Sequence, residues 1–82
     1  MKMIIIGAGR MAEAVLYDVI RHNTFSEVTI ADVDVGRAED LAARRGAGRV
    51  RPVALDAGNE NQVRQLVAGH NVCVSAAPYR FN

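Results

Sequence analysis

A glycine-rich segment directly after an apolar run is the feature of this chain that most restricts its fold. The run Met3–Ile6 is wholly apolar, as is typical of a strand covered on both faces. In the segment that follows, Gly7 permits a sharp turn, Gly9 lets a ligand approach the backbone, and Ala12 allows a helix to pack closely on the strand. A helix that begins here directs free N–H groups at an anion in the turn. The pattern predicts a strand–turn–helix unit that binds a phosphate group.

The same alternation of extended and helical patterns continues along the chain. Apolar residues recur every four positions from Met11 and from Ala12, which predicts a first helix ending near His22. Three further runs rich in β-branched residues are predicted to be strands, at Val28–Ala31, Val50–Leu55 and Val72–Ala76. Pro52 removes a backbone donor and so favours an edge position for the third strand.

Capping residues set the limits of two more predicted helices. Asp34 is a typical N-cap, and Gly46 is expected to end that helix with a positive φ. Asn59, with Gln62 three residues later, resembles a capping box, and Gly69 is expected to end the third helix. The resulting order βαβαβαβ implies parallel strands with right-handed crossovers. We therefore predict a Rossmann-type three-layer α/β/α fold with strand order 3-2-1-4, in which residues 1–82 form the N-terminal part of a dinucleotide-binding domain.

Composition excludes several other classes of function. A formal net charge of +1 on 82 residues gives no electrostatic footprint for nucleic acid or a membrane surface. The single cysteine, Cys73, is expected to be a buried, inert thiol. No signal peptide is recognisable, so the expected location is cytoplasmic. Neither histidine has a second ligand spaced for a metal. The basic residues Arg44, Arg45, Arg49 and Arg51 are interpreted as a solvated face.

An acidic residue at the end of the second strand points to the cofactor. Asp32 lies roughly 20 residues beyond the glycine turn, where a carboxylate hydrogen-bonds the adenosine ribose in dinucleotide-binding folds. Because a carboxylate repels a 2′-phosphate, NAD is predicted in preference to NADP. Arg37 can instead contact a 2′-phosphate, so NADP remains the alternative cofactor. Asp56 and Ala57 are expected beside the adenine ring.

Three passages resemble the NAD(P)-binding segment of the saccharopine dehydrogenase family, most closely enzymes of the L-lysine 6-dehydrogenase type. They are ADVD at 31–34, DAGN at 56–59, and GHNV at 69–72 followed by AAPYRFN at 76–82. Ser75 departs from the asparagine common there. The resemblance implies cofactor contacts at Gly7, Gly9, Arg10, Met11, Ala12, Asp32, Asp56, Ala57, Ala76 and Ala77.

The resemblance also implies a reaction: hydride transfer between nicotinamide and an amino-acid C–N bond, in lysine metabolism. Members of the family are several times longer, and their substrate and catalytic groups lie beyond residue 82. We therefore expect no catalytic residue in this chain, which should bind the cofactor without turnover. A regulatory NAD-sensing module of potassium-uptake systems, which also opens with MK-x-III-GAG-R, remains the alternative, although the ending AAPYRFN favours the dehydrogenase.

The fourth predicted strand carries one further expectation. Val72, Cys73 and Val74 follow one another without an interrupting Pro or Lys. In the predicted strand order this run lies at an edge of the sheet, where unpaired backbone groups can pair with another chain. Self-association of the 82-residue chain is therefore expected.

Overall fold

Strands and helices alternate without exception along the part of the chain that the computed structural model describes, residues 1–22, 25–46, 48–56 and 59–76. The strands are β1 (Lys2–Ile6), β2 (Glu27–Asp32), β3 (Val50–Ala54) and β4 (Val72–Ser75), and the helices are α1 (Arg10–His22), α2 (Val35–Arg45) and α3 (Glu60–Ala68). Every predicted element is present, with ends that differ by a residue or two from the predicted ones.

The four strands form one parallel sheet in the order β3-β2-β1-β4, which confirms the predicted Rossmann-type fold class. In its register Ile4 pairs with Thr29 on one side and with Cys73 on the other. Pro52 pairs with Ile30 from β3, the edge strand, where its missing N–H costs no ladder bond. The strands β2 and β3 lie on one side of β1, and β4 lies on the other. The carboxyl end of β1 is therefore in the middle of the row formed by the carboxyl ends of the four strands.

Both faces of β1 are covered, which explains its continuous apolar sequence. Met3 and Ile5 pack with α1 and α2 in one core, together with Leu16 and Leu41. Ile4 and Ile6 belong to a second core on the opposite face, completed by Ala31 and Leu55 and covered by Val63, Leu66 and Val67 of α3. Each fully buried Leu or Ile contributes about 1.5–3 kcal/mol relative to an exposed one. The two cores thus fix the helices on opposite sides of the sheet.

The apolar stripe of α1 starts one residue later than predicted. Ala12 and Leu16 are fully buried, whereas Met11 is 63% exposed. Because successive helical residues are about 100° apart around the axis, the row from Ala12 faces the sheet and Met11 lies beside it. The prediction that Met11 contributes to the apolar stripe is therefore wrong.

The end of α2 corrects a second prediction. Gly46 caps the helix, but its φ is −81°, and the nearby glycine with a positive φ is Gly48 at 77°. Glycine is needed at 46 because a Cβ there would overlap the carbonyl oxygen of Ala42 and would lie 2.8 Å from Cβ of Val50. Close packing of helix on strand, and not backbone conformation, selects this glycine.

Capping interactions fix the turns before α2 and α3. Asp34 Oδ1 accepts hydrogen bonds from the amides of Gly36 at 3.0 Å and Arg37 at 3.4 Å, as predicted for an N-cap. Asn59 Oδ1 accepts one from the amide of Gln62 at 3.1 Å. Gln62 does not complete the expected reciprocal box with Asn59, because its Oε1 accepts from the amide of Asp56 at 2.7 Å. This bond ties the turn after β3 to α3.

The side chains of β4 alternate between the two faces of the sheet. Val72 and Val74 pack against the core beside α1. Cys73 points the other way and is exposed, so the expectation of a buried thiol is wrong. Partial burial still raises the pKa of the Cys73 thiol, which keeps it in the less reactive protonated form at neutral pH.

His70 anchors the end of α3 to the sheet. Its Nδ1 lies 2.6 Å from the Leu66 carbonyl oxygen, which can only accept, so Nδ1 carries the proton. Its Nε2 lies 2.8 Å from Oγ1 of the buried Thr29. Among the described residues no group of three His, Cys, Asp or Glu side chains is arranged to hold a metal ion. The described helices are all too short or too polar to cross a membrane.

Candidate cofactor site

The glycine turn joins the carboxyl end of β1 to α1 and is tied to β2. Gly7 has φ 103°, a conformation that L side chains rarely adopt, and its amide donates to the Ala31 carbonyl at 2.7 Å. Gly9 opens α1, because its carbonyl accepts from the amide of Glu13 at 3.0 Å. A Cβ on Gly9 would have only Nη2 of Arg37 within contact distance, at 3.7 Å. The space over Gly9 therefore opens away from the fold.

Asp32 lies directly behind this turn. Its Oδ2 accepts from the amide of Ala8 at 2.8 Å, and its Oδ1 accepts from the amide of Asp34 at 2.9 Å. The residue is only 3% exposed. The carboxylate is thus satisfied by two backbone N–H groups, one from the turn before α1 and one from the turn before α2.

An open groove of about 530 Å³ lies between the glycine turn and α2. Residues of the turn and polar residues of both helices border it. Its lining consists of Ala8, Gly9, Arg10, Glu13, Asp34, Gly36, Arg37, Asp40 and Arg44. A groove that joins a helix N-terminus to several cations suits an elongated ligand with phosphate groups.

The charges along the groove divide into paired and unpaired groups. Glu13 accepts hydrogen bonds from Arg45 at 2.8 Å and from Arg44 at 3.1 Å, and Arg44 also contacts Asp40 at 2.8 Å. The hydrogen bond from Arg45, followed by the charge and hydrogen bond of Arg44, lowers the pKa of Glu13. Within the described chain, the guanidinium groups of Arg10 and Arg37 have neither an ion pair nor a hydrogen bond. They are the cations available to an anionic ligand.

The residues predicted as cofactor contacts fall into four groups. Gly7, Gly9 and Arg10 form the turn, and the last two line the groove. Ala12 is buried between helix and sheet, and Asp32 is buried behind the turn. Three predicted contacts lie outside the groove lining: exposed Met11, exposed Asp56 and half-buried Ala76. The amide of Ala76 donates to the Ile6 carbonyl at 2.8 Å. Ala57 and Ala77 lie outside the described residues.

Sequence reasoning missed most of the wall that α2 provides. Gly36, Asp40 and Arg44 lie four residues apart on one face of the helix and line the groove. This polar row was visible in the sequence as a helical period next to Arg37. The expected solvated basic face also has partners, since Arg44 and Arg45 pair with Glu13 and thereby join α2 to α1.

The family model for the saccharopine dehydrogenase NADP-binding domain matches residues 3–82. Among solved structures, quinate dehydrogenase from Corynebacterium glutamicum in complex with NAD is 28% identical over 94% of this chain, with a TM-score of 0.75. Apo saccharopine dehydrogenase (L-Glu forming) from Saccharomyces cerevisiae is 26% identical over 98%, with a TM-score of 0.77. Sorbitol-6-phosphate 2-dehydrogenase from Erwinia amylovora, 24% identical over 94% with a TM-score of 0.60, is similar in fold.

The matched region is a small part of each of these proteins. The chain covers 27% of the quinate dehydrogenase, 17% of the saccharopine dehydrogenase and 34% of the sorbitol-6-phosphate dehydrogenase. The likeness therefore concerns one region of larger enzymes.

Proposed function

The chain belongs to the saccharopine dehydrogenase NADP-binding domain family, and on that premise we propose that it is the N-terminal part of the dinucleotide-binding domain of a dehydrogenase. The observation that carries the proposal is the space over Gly9, which adjoins the start of α1 and the cations of the groove. In this arrangement the pyrophosphate lies over Gly9, where the free N–H groups of α1 stabilise it. The adenosine half extends along the groove towards α2.

The bound nicotinamide would accept or donate a hydride, and the protein would orient it and supply acid–base groups. We propose an amino-acid C–N bond of the lysine or saccharopine type as the substrate bond. The family match and the 26% identity to the yeast saccharopine dehydrogenase support this choice. They also favour a dehydrogenase over the regulatory module of potassium-uptake systems. The 28% identity to a quinate dehydrogenase supports a hydroxyl group as the second candidate substrate.

The acid–base group of the reaction is proposed to come from outside this groove. Each groove carboxylate already has a structural partner. Glu13 pairs with two arginines, Asp40 pairs with Arg44, and Asp34 caps α2. A general base needs a carboxylate or imidazole within reach of the substrate proton. We propose that the substrate-binding and catalytic residues lie in other parts of the enzyme.

The position of Asp32 weakens the prediction of NAD over NADP, whereas the position of Arg37 favours NADP. The prediction of NAD over NADP relied on a carboxylate that faces the ribose, whereas Asp32 is 3% exposed and accepts two amide hydrogens. Arg37 lines the groove with an unpaired guanidinium. A guanidinium binds a phosphate in a charge-assisted manner. We therefore propose that the domain accepts NADP as well as NAD, with Arg37 contacting the 2′-phosphate.

Calorimetric titration of NAD and NADP into the 82-residue chain tests the proposed binding function. We expect saturable binding of both cofactors, because the turn and the groove lie within this chain. Incubation with lysine or saccharopine and either oxidised cofactor should produce no absorbance at the wavelength of the reduced nicotinamide, since no groove carboxylate is free to act as the base. Absence of binding by a folded chain would contradict the domain assignment, and turnover would contradict the separate origin of the catalytic groups.

Self-association through β4 is proposed from the position of that strand. In the described sheet β4 pairs with β1 alone, so its other edge is open. Replacing exposed Cys73 with lysine should lower the association constant, because charge on an edge strand opposes pairing. Light scattering over a concentration series measures this, with exposed Asn61→Lys as the control for added charge. A wild-type chain that stays monomeric, or equal association of both variants, would contradict the proposal.

A further inference from the structure

We infer that Asp32 is a positioning residue that holds the glycine turn in the shape that receives a pyrophosphate, independently of any contact with a ribose hydroxyl. The inference rests on the proposed function, because it assumes that a dinucleotide lies at this turn. It follows from the way in which one buried carboxylate joins the two turns that border the groove.

Asp32 accepts one hydrogen bond from each of the two turns. Ala8 stands between the two glycines of the turn, and its amide donates to Asp32 Oδ2 at 2.8 Å. Asp34 is the N-cap of α2, and its amide donates to Asp32 Oδ1 at 2.9 Å. The segment that would face the pyrophosphate and the first turn of α2 are therefore fixed to the same side chain at the end of β2.

A carboxylate suits this position because it offers only acceptor atoms. An ionised carboxylate presents two acceptor oxygens and no donor, so it can satisfy two facing N–H groups at once. An asparagine in the same place would set an NH₂ group against one of those amides. At 3% exposure, water has little access to replace the lost bond. The position therefore requires a carboxylate even in the absence of a ligand.

The hydrogen bond from Ala8 to Asp32 restricts the conformation of the turn. Gly7 is already fixed by its hydrogen bond to the Ala31 carbonyl at 2.7 Å, and Glu13 is fixed to the Gly9 carbonyl at 3.0 Å. Ala8 lies between these two fixed points, and Asp32 is its partner in the structure. Without that bond the turn has additional conformations, and a ligand must select one of them at a cost in affinity. The loss applies to every ligand with a pyrophosphate, whatever the substituent at the 2′ position.

The test is a cycle of one substitution and one ligand change. The affinities of the wild-type chain and of Asp32→Asn are measured for NAD and for NAD with a 2′-deoxyadenosine ribose, under conditions in which circular dichroism shows that both proteins are folded. We expect the variant to bind both ligands about 10- to 100-fold more weakly, as for the loss of a hydrogen bond to a charged group. Exposed Glu39→Gln removes the same charge from α2 outside the groove lining and should change either affinity less than about threefold.

Two outcomes would overturn the inference. A loss seen with NAD but absent with the 2′-deoxy ligand would mean that Asp32 acts solely on the ribose hydroxyl. Unchanged affinity of the folded variant for both ligands would mean that the carboxylate serves stability alone. A wild-type chain that binds neither ligand would instead refute the proposed function, so the two failures are distinguishable.

A measurement on the wild-type chain covers the case in which Asp32→Asn does not fold. Hydrogen exchange of the Ala8 and Asp34 amides, followed by NMR without ligand, should be slow, because both are bonded to a buried carboxylate. Addition of NAD should leave their protection in place. Fast exchange of either amide in the unliganded chain would overturn the inference.

Discussion

Replacement of Gly9 with valine is expected to abolish binding of NAD and NADP while the chain remains folded. Gly9 has no positive φ, so a side chain there does not have to adopt a left-handed backbone conformation. The nearest atom to an added Cβ is Nη2 of Arg37 at 3.7 Å, which is an ordinary contact with the movable end of a long side chain. The branched side chain would instead occupy the space assigned to the pyrophosphate.

Calorimetry with both cofactors and circular dichroism measure this effect and its control. Gly9→Ala should show an intermediate loss, since one methyl group fills part of the same space. Gly69→Ala is the matched control, because a Cβ there lies at least 3.6 Å from its neighbours at the end of α3. Undiminished affinity of a folded Gly9→Val chain would show that the pyrophosphate lies elsewhere.

Arg37→Glu is expected to weaken NADP binding about 100-fold and to change NAD binding by less than about threefold, as for the loss of hydrogen bonds between charged groups. Arg37 lines the groove with an unpaired guanidinium, and the substitution replaces attraction of a 2′-phosphate by repulsion. The side chain is on the exposed part of α2, so the melting temperature should change little.

The comparison with NAD isolates the 2′-phosphate, because the two cofactors differ only there. Exposed Arg51→Glu on β3 makes the same change in net charge outside the groove lining and controls for the general field. Equal losses for both cofactors would place Arg37 on the shared part of the ligand. An unchanged NADP affinity would remove Arg37 from the site.

Features that depend on neighbouring residues in the chain were predictable from the sequence. The helical period from Ala12, the caps Asp34 and Asn59, and the edge position of Pro52 all express local rules of conformation and hydrogen bonding. The strand order followed the Rossmann arrangement, which the glycine turn and the βαβαβαβ order indicated. The strand–turn–helix unit at Gly7 and Gly9 was predictable for the same reason, since its glycines directly follow a strand and precede a helix.

Features that depend on distant residues were not predictable in this way. The bond between Ala8 and Asp32 spans 24 positions, and the contacts of Glu13 with Arg44 and Arg45 span 31 and 32. Each requires the lateral placement of α1, β2 and α2 to within about 1 Å, because hydrogen bonds weaken steeply outside a narrow range of distance and angle. The period of apolar residues shows which residues share one face of a helix. It does not show how the helix is rotated or shifted against its neighbours. The exposure of Met11 illustrates this limit.

The buried and exposed sides of α2 have different roles, and this difference bears on how cofactor preference can change over evolution or in the laboratory. Ala38 and Leu41 bury the inner side of the helix, whereas Gly36, Arg37 and Asp40 are exposed and border the groove. Exposed positions accept substitution with small changes in stability, whereas buried ones do not. On the proposed contact between Arg37 and the 2′-phosphate, selection for a different adenosine substituent would act on exposed positions of α2, while the turn at Gly9 stays the same.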